Sequence, residues 1–180
     1  MPKPTLVVIS GPSGTGKTTL AHELARAIRC PAICRDEIKE GMVHTIGEFR
    51  PAVGDELTRQ TFPLFFEVLR TLLEHGVTVV AEAAFQHKLW GPSLEPLREL
   101  ARVRIVQCHT DLDVARERVL ERAPLRTAHA DVPLLEALAA GDRYYQDFDR
   151  VRTDDPSIDV DTTSGYDPSI EQLVAFVSAE

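Results

Sequence analysis

The chain has 180 residues, 43% of them hydrophobic, with a formal net charge of −8; this length supports one well-buried core and is short for two, so one domain over residues 1–180 is expected. The acidic balance disfavours a protein that coats long nucleic acid, whose affinity comes from Lys and Arg displacing counterions. Cys30, Cys34 and Cys108 form no even framework and no metal spacing, and the apolar run before Ser10 is too short for a signal-peptide core or a membrane span, so a cytoplasmic protein with reduced thiols and no membrane partner is expected.

Thr5–Ile9 reads as a short buried strand. Gly11-Pro12-Ser13-Gly14-Thr15-Gly16-Lys17-Thr18 follows and satisfies the phosphate-loop pattern G-x-x-x-x-G-K-[ST]. Leu20, Leu24 and Ile28 then form one apolar stripe on a helix from Thr18 to Ile28. The glycines let successive backbone N–H groups face phosphate oxygens, Lys17 reaches the β/γ-phosphates and the Thr18 hydroxyl suits Mg²⁺. Gly11, Ser13, Gly14, Thr15, Gly16, Lys17, Thr18 and Thr19 are therefore the expected nucleotide-binding residues, aided by the dipole at the helix start.

Pro31–Cys34 is a candidate second strand that ends at Arg35-Asp36-Glu37. A polar stretch with Gly41, Gly47, Pro51 and Gly54 reads as a connection, and Asp55–His75 as a helix bent or broken near Pro63 and stopped by Gly76. Val77–Ala81 is the third strand, ending at Glu82, and its continuous apolarity suits a parallel sheet covered on both faces. A short helix over Pro92–Ala101 leads to a fourth strand, Val103–Cys108. Asp111 is expected to cap a helix through Arg122, with Leu112, Ala115 and Val119 on one face and Pro124 as its end. Another helix is expected over about 131–148. Ile158–Asp161 is the last strand, and a final helix has Asp167 as its expected cap, Pro168 at its first position, and the stripe Ile170, Leu173, Val174 and Val177. Strands alternating with helices in this way predict a three-layer α/β/α fold around a five-stranded parallel sheet, with ligands at the carboxyl ends of the strands.

Two strand ends carry acids. Asp36 suits a helix N-cap and also a carboxylate facing the phosphate loop, while Glu82 closes an apolar strand where nucleotide-binding folds place the acid that organises Mg²⁺. Arg116, Arg118, Arg122 and Arg126 form a basic cluster in an acidic chain. A solvated helix paired with Glu117 and Glu121 explains part of it. Arg122 and Arg126 flank the Pro124 break, where a short lid over about 123–131 could lower guanidinium groups onto a transferring phosphate. Arg50, Arg59, Phe85, His87 and Trp90 are available to a second ligand, and each also fits surface or packing.

Gly11 to Thr18, Arg35-Asp36-Glu37-Ile38-Lys39, the hydrophobic strand to Glu82 and Arg118-x-x-x-Arg122 together resemble the small P-loop kinases. That group includes chloramphenicol phosphotransferase, zeta toxins, gluconate kinase and the kinase domain of polynucleotide kinases. The resemblance spans nearly the whole chain, and the phosphate loop is its specific motif. It implies an ATP- and Mg²⁺-dependent enzyme that moves the γ-phosphoryl group to a hydroxyl of a small molecule. Lys17, Asp36, Arg122 and Arg126 would be catalytic, with Asp36 as base toward the acceptor hydroxyl. Arg118, Arg122 and Thr163, within the loop Thr162-Thr163-Ser164-Gly165, would add to the nucleotide site. Thr18 and Glu82 would hold the metal, and Asp36, Glu82 and His87 would meet the substrate. Many relatives carry Asp where this chain has Glu82, so the longer acid is expected either at Mg²⁺ through water or at the acceptor. A nucleic-acid 5′-hydroxyl or a nucleotide sugar is the alternative acceptor. A nucleotide-dependent ATPase or switch acting on a protein is the alternative class, and the arginine-bearing lid favours transfer over it.

Overall fold

The computed structural model describes residues 2–123, 128–129 and 147–179. Strands β1 (Thr5–Ser10), β2 (Ala32–Cys34), β3 (Val79–Glu82), β4 (Arg102–His109) and β5 (Ser157–Asp161) form one parallel sheet in the order β2-β3-β1-β4-β5. Parallel strands need crossovers that cover both faces, which is why β1 and β3 are buried throughout their length and apolar over Leu6–Ile9 and Val79–Ala81. Side chains alternate between the two faces. Val7, Ile9, Val80, Val106 and Val160 pack beneath α1 (Lys17–Ile28), whereas Leu6, Val8, Ala81 and Ile105 pack beneath α3 (Glu56–Glu74). Ile9 is in register with Glu82 and Val106, and Glu82 is in register with Cys34. The acidic end of β3 is thereby aligned with the end of β1, from which the phosphate loop springs. The strand order reverses at β1, the place where open α/β sheets leave a crevice for ligands.

Several helices depart from the sequence expectation. Residues after β2 were expected as a polar connection, yet β2 runs directly into α2 (Arg35–Ile46). Lys39 and Val43 are the only buried residues of this helix, so no apolar stripe announces it. Cys34 occupies its N-cap, so the capping role that also suited Asp36 is not taken up; Asp36 lies in the first turn. Helix α3 is continuous through Pro63 rather than broken. Leu57, Thr61, Phe65, Leu69 and Leu73 are buried at four-residue spacing, and that packing outweighs the hydrogen bond that proline removes. Helix α4 (His87–Arg98) starts at His87 rather than Pro92 and contains both Pro92 and Pro96, anchored by buried Trp90, Leu94 and Leu97.

Helix α5 (Leu112–Arg122) follows the expected bounds with Asp111 at its N-cap position, but the Asp111 side chain makes no capping hydrogen bond, which corrects that part of the expectation. Helix α6 (Ile170–Ser178) is capped by Ser169 and Gln172 in a reciprocal capping box, which corrects the assignment of the cap to Asp167. Asp167 instead exchanges two backbone hydrogen bonds with Asp161, closing the loop after β5 before the helix can begin. The helix expected over about 131–148 lies, except for Asp147 and Phe148, outside the described residues. No helix among the described residues is long and apolar enough to cross a membrane.

Candidate active site

The phosphate loop is braced before any ligand arrives. Gly14 has φ +83°, and a Cβ there would stand 2.4 Å from the Ala115 carbonyl oxygen of α5, so only glycine lets the loop lie against that helix. The Thr15 hydroxyl donates to the Pro12 carbonyl at 2.8 Å, and the Thr162 hydroxyl, from the loop after β5, donates to the Thr15 carbonyl at 2.9 Å. Thr15 is 1% exposed, which makes its side chain part of the loop's scaffold rather than its surface.

Lys17 and Thr18 open α1 and both meet Glu82. The Thr18 hydroxyl donates to Glu82 Oε2 at 3.1 Å, and the Lys17 ammonium lies 3.7 Å from Oε1 and 3.4 Å from the Pro12 carbonyl. Glu82 is 3% exposed. Burial pushes its carboxyl above the ordinary range and the Asp36 charge adds to this, while the Lys17 cation and hydrogen bonds from Thr18 and Cys34 oppose it. A hydroxyl and a buried carboxylate converging in this way offer the hard oxygen donors that suit Mg²⁺, so the residues fit that ion.

These groups open onto a cavity of about 650 Å³. Ser13, Gly14, Gly16, Lys17, Thr18 and Thr19 line it, and so do Asp36, Arg118 and Arg122. Gly11 and Thr15 lie behind the loop, against a smaller cavity beside β4. Arg118 reaches across from α5, donating to the Thr162 carbonyl at 2.7 Å and to the Gly14 carbonyl at 3.4 Å. It thus ties the phosphate loop to the loop after β5. In that second loop Thr162, Gly165 and Tyr166 line the main cavity, whereas the Thr163 hydroxyl accepts from the Asp111 N–H at 3.1 Å. Arg122 ends α5, and Arg126 lies outside the described residues.

Asp36 is 3.1 Å from the Arg35 guanidinium and remains half-exposed. Glu37 and Glu40, on the same helix, also line the cavity. The sequence reading missed them because α2 was not expected as a helix. It also missed the pair that holds α2 in place: the Lys39 ammonium lies 2.7 Å from the Asp55 carboxylate, with both side chains buried, and stands over the Phe49 ring at 5.4 Å. Burial alone would raise the Asp55 pKa, but hydrogen bonds from Lys39, Thr58 and Ala52 prevail and hold it down to about 2. A pairing across sixteen positions and two elements leaves no local sequence signal.

The remaining acceptor candidates lie elsewhere. His87 does not line the main cavity; its Nδ1 accepts from the Arg152 N–H at 3.2 Å. Phe85 and Trp90 are core residues, with ring centroids 4.8 Å apart inside a cluster that also holds Phe62, Phe65 and Phe66. Arg59 donates to the Gly54 carbonyl at the surface, and Arg50 is exposed.

A family model described as an AAA domain matches residues 6–147. A candidate kinase from Chloroflexus aurantiacus superposes with a TM-score of 0.82 at 24% identity, over 98% of this chain and 97% of that one. A sugar kinase from a Janibacter species superposes with a TM-score of 0.65 at 20% identity, over 98% and 96% of the two chains. The APS kinase of Mycobacterium tuberculosis, solved with AMPPNP and APS, gives a TM-score of 0.66 at 15% identity over 99% and 100%. At these identities the likeness is one of fold, an α/β P-loop NTPase-like fold that these kinases share. No curated protein sequence matches significantly.

Proposed function

The chain belongs to the AAA domain family, and within it we propose a cytoplasmic phosphotransferase, dependent on ATP and Mg²⁺, that moves the γ-phosphoryl group to a hydroxyl of a small molecule. The observation that carries this reading is the convergence of Lys17, Thr18, Asp36 and Arg122 on one cavity of about 650 Å³, a volume within the range of small-ligand sites, with Glu82 buried behind Lys17 and Thr18 and in contact with both. Phosphate-loop N–H groups and Lys17 hold the β- and γ-phosphates, and to do so Lys17 exchanges the Glu82 carboxylate for phosphate oxygens. Mg²⁺, held by Thr18 with Glu82, would neutralise charge on those oxygens. Arg118 extends the nucleotide site toward the loop holding Thr162 and Thr163.

Asp36 takes the proton from the acceptor hydroxyl as its oxygen bonds to the γ-phosphorus. The bond from that phosphorus to the β–γ bridging oxygen breaks, and ADP leaves with the electron pair. Asp36 then returns its proton to solvent. Arg122 offsets negative charge on the group in transit; the lid expected over about 123–131, with Arg126, lies mostly outside the described residues. Residues 1–180 act as one catalytic domain, and His87 has no part in this reading because it stands outside the cavity.

Purified protein incubated with Mg²⁺-ATP and a pool of hydroxylated metabolites tests the proposal, with mass detection of products. The expected result is ADP formation that depends on the pool and one phosphorylated acceptor. Equal ADP formation with and without the pool would assign the site to hydrolysis.

A further inference from the structure

A second cluster shares Glu37 with the wall of this cavity and has no part in the transfer chemistry proposed above. His22 projects from α1, Cys34 ends β2, and Glu37 lies in the first turn of α2. His22 Nε2 is 2.7 Å from Glu37 Oε1 and 3.7 Å from Cys34 Sγ, and one ligand atom from each residue falls within 4.8 Å of the others. We propose that these three side chains form a binding site for Zn²⁺ or a similar late first-row divalent ion, with a fourth position left for water.

The donor set selects that class of ion. A thiolate and an imidazole are softer ligands than the oxygens Mg²⁺ prefers, so this site and the Thr18–Glu82 site would sort the two ions by chemistry. Zinc–nitrogen and zinc–sulfur distances at a tetrahedral angle put the two ligand atoms about 3.6 Å apart, and the observed separation is 3.7 Å. The nitrogen–oxygen separation must open from 2.7 Å to about 3.4 Å, which rotation of an exposed glutamate supplies. The side chains of His22 and Glu37 are 44% and 46% exposed, so an ion can enter from solvent, while the buried sulfur closes the site from beneath.

Glu37 adds a carboxylate to the site, and a coordinated thiol loses its proton outright. Binding therefore releases the thiol proton to solvent and leaves one divalent ion balanced by one thiolate and one carboxylate, with His22 neutral.

The test is a Co²⁺ titration of chelator-treated full-length protein, followed by the ultraviolet thiolate-to-cobalt charge-transfer band and by Zn²⁺ displacement. The expected result is a saturable band that Zn²⁺ abolishes, that survives Cys30→Ser and disappears in Cys34→Ser. His22→Gln, a change at an exposed position, should weaken cobalt affinity by about tenfold or more, and it carries the test should Cys34→Ser fail to fold. Absence of the band at saturating Co²⁺, its persistence in Cys34→Ser, or unchanged affinity in His22→Gln would overturn the proposal. The titration requires neither ATP nor an acceptor, so it stands apart from the proposed reaction.

Discussion

Glu82 Oε2 accepts a hydrogen bond from the Thr18 hydroxyl at 3.1 Å while Oε1 stands 3.7 Å from the Lys17 ammonium, which joins the end of β3 to the start of α1. Two consecutive residues of the phosphate motif thereby hold a buried acid in place. The lysine that the phosphates require is also the cation that opposes the burial-driven rise in the Glu82 carboxyl's pKa, so nucleotide binding and the electrostatics of this acid are coupled.

Lys17→Ala should consequently do more than abolish transfer. From the sequence Lys17 serves only the ligand, but the structure gives it a buried partner, Glu82, whose carboxyl would lose the cation that offsets its burial. Breaking that pair should cost on the order of 3 kcal/mol at pH 7. Lys17→Ala combined with Glu82→Gln should recover a large part of this while remaining inactive. Denaturant unfolding of the single and double variants, with ATP titration of each, provides the check.

Gly14→Ala separates close approach from backbone strain. Gly14 and Gly76 both have positive φ, +83° and +75°, but a Cβ at Gly14 meets the Ala115 backbone whereas one at Gly76 meets nothing within 4 Å. Gly76→Ala should cost about 1 kcal/mol from conformation alone. Gly14→Ala should cost at least about 2 kcal/mol and weaken ATP binding about tenfold or more, because the loop must leave α5. Equal losses would show that the contact with Ala115 contributes nothing.

The parallel sheet and the phosphate loop were legible because each leaves a local signature. Thr5–Ile9 and Val77–Ala81 are continuous apolar runs, and the motif from Gly11 to Thr18 specifies strand, turn and helix start together. Where tertiary packing overrides local preference, the sequence misled. Pro92 reads as the start of a helix that in the fold begins at His87 and is anchored by buried Trp90 and Leu94, and α2 buries a lysine where an apolar stripe is sought. For the site, the Lys17–Glu82 and Thr18–Glu82 contacts follow from strand alignment and motif. Glu37, Glu40 and the Lys39–Asp55 pair depend on the unrecognised α2, and Arg126 lies outside the described residues.

The Lys39–Asp55 pair should give acid denaturation a recognisable component. Asp55 is held down to about 2 in the fold against an ordinary value of 3.8, so its contribution is present above 3.8 and lost as pH falls toward 2. Roughly 2 kcal/mol should disappear across that window. Asp55→Asn keeps the helix cap but removes the titration, so its unfolding free energy should vary less between pH 4 and 2. The same pH slope in both proteins would remove the pair as the cause.

Arg118 and Arg122 should separate kinetically. Arg118 already braces Gly14 and Thr162, so Arg118→Ala should weaken ATP binding about tenfold, mainly through KM. Arg122→Ala should lower kcat by about 10²-fold or more with a smaller change in KM, because the charge it offsets exists mainly in the transition state. Changes below about twofold in both would make the arginine face of α5 a solvated surface.

The central claim is that Asp36 deprotonates an acceptor hydroxyl rather than serving the helix that carries it. Asp36 lies in the first turn of α2 and not at its cap, so Asp36→Asn should change the thermal midpoint little, through the loss of a few tenths of a kcal/mol of dipole interaction. The decisive measurement is the rate of phosphoryl transfer to the identified acceptor by Asp36→Asn and by the parent protein at one Mg²⁺ concentration, with ATP affinity measured in parallel. The account predicts a fall of about 10²–10⁴-fold in transfer with ATP affinity within a few-fold; near-normal transfer by Asp36→Asn would contradict it.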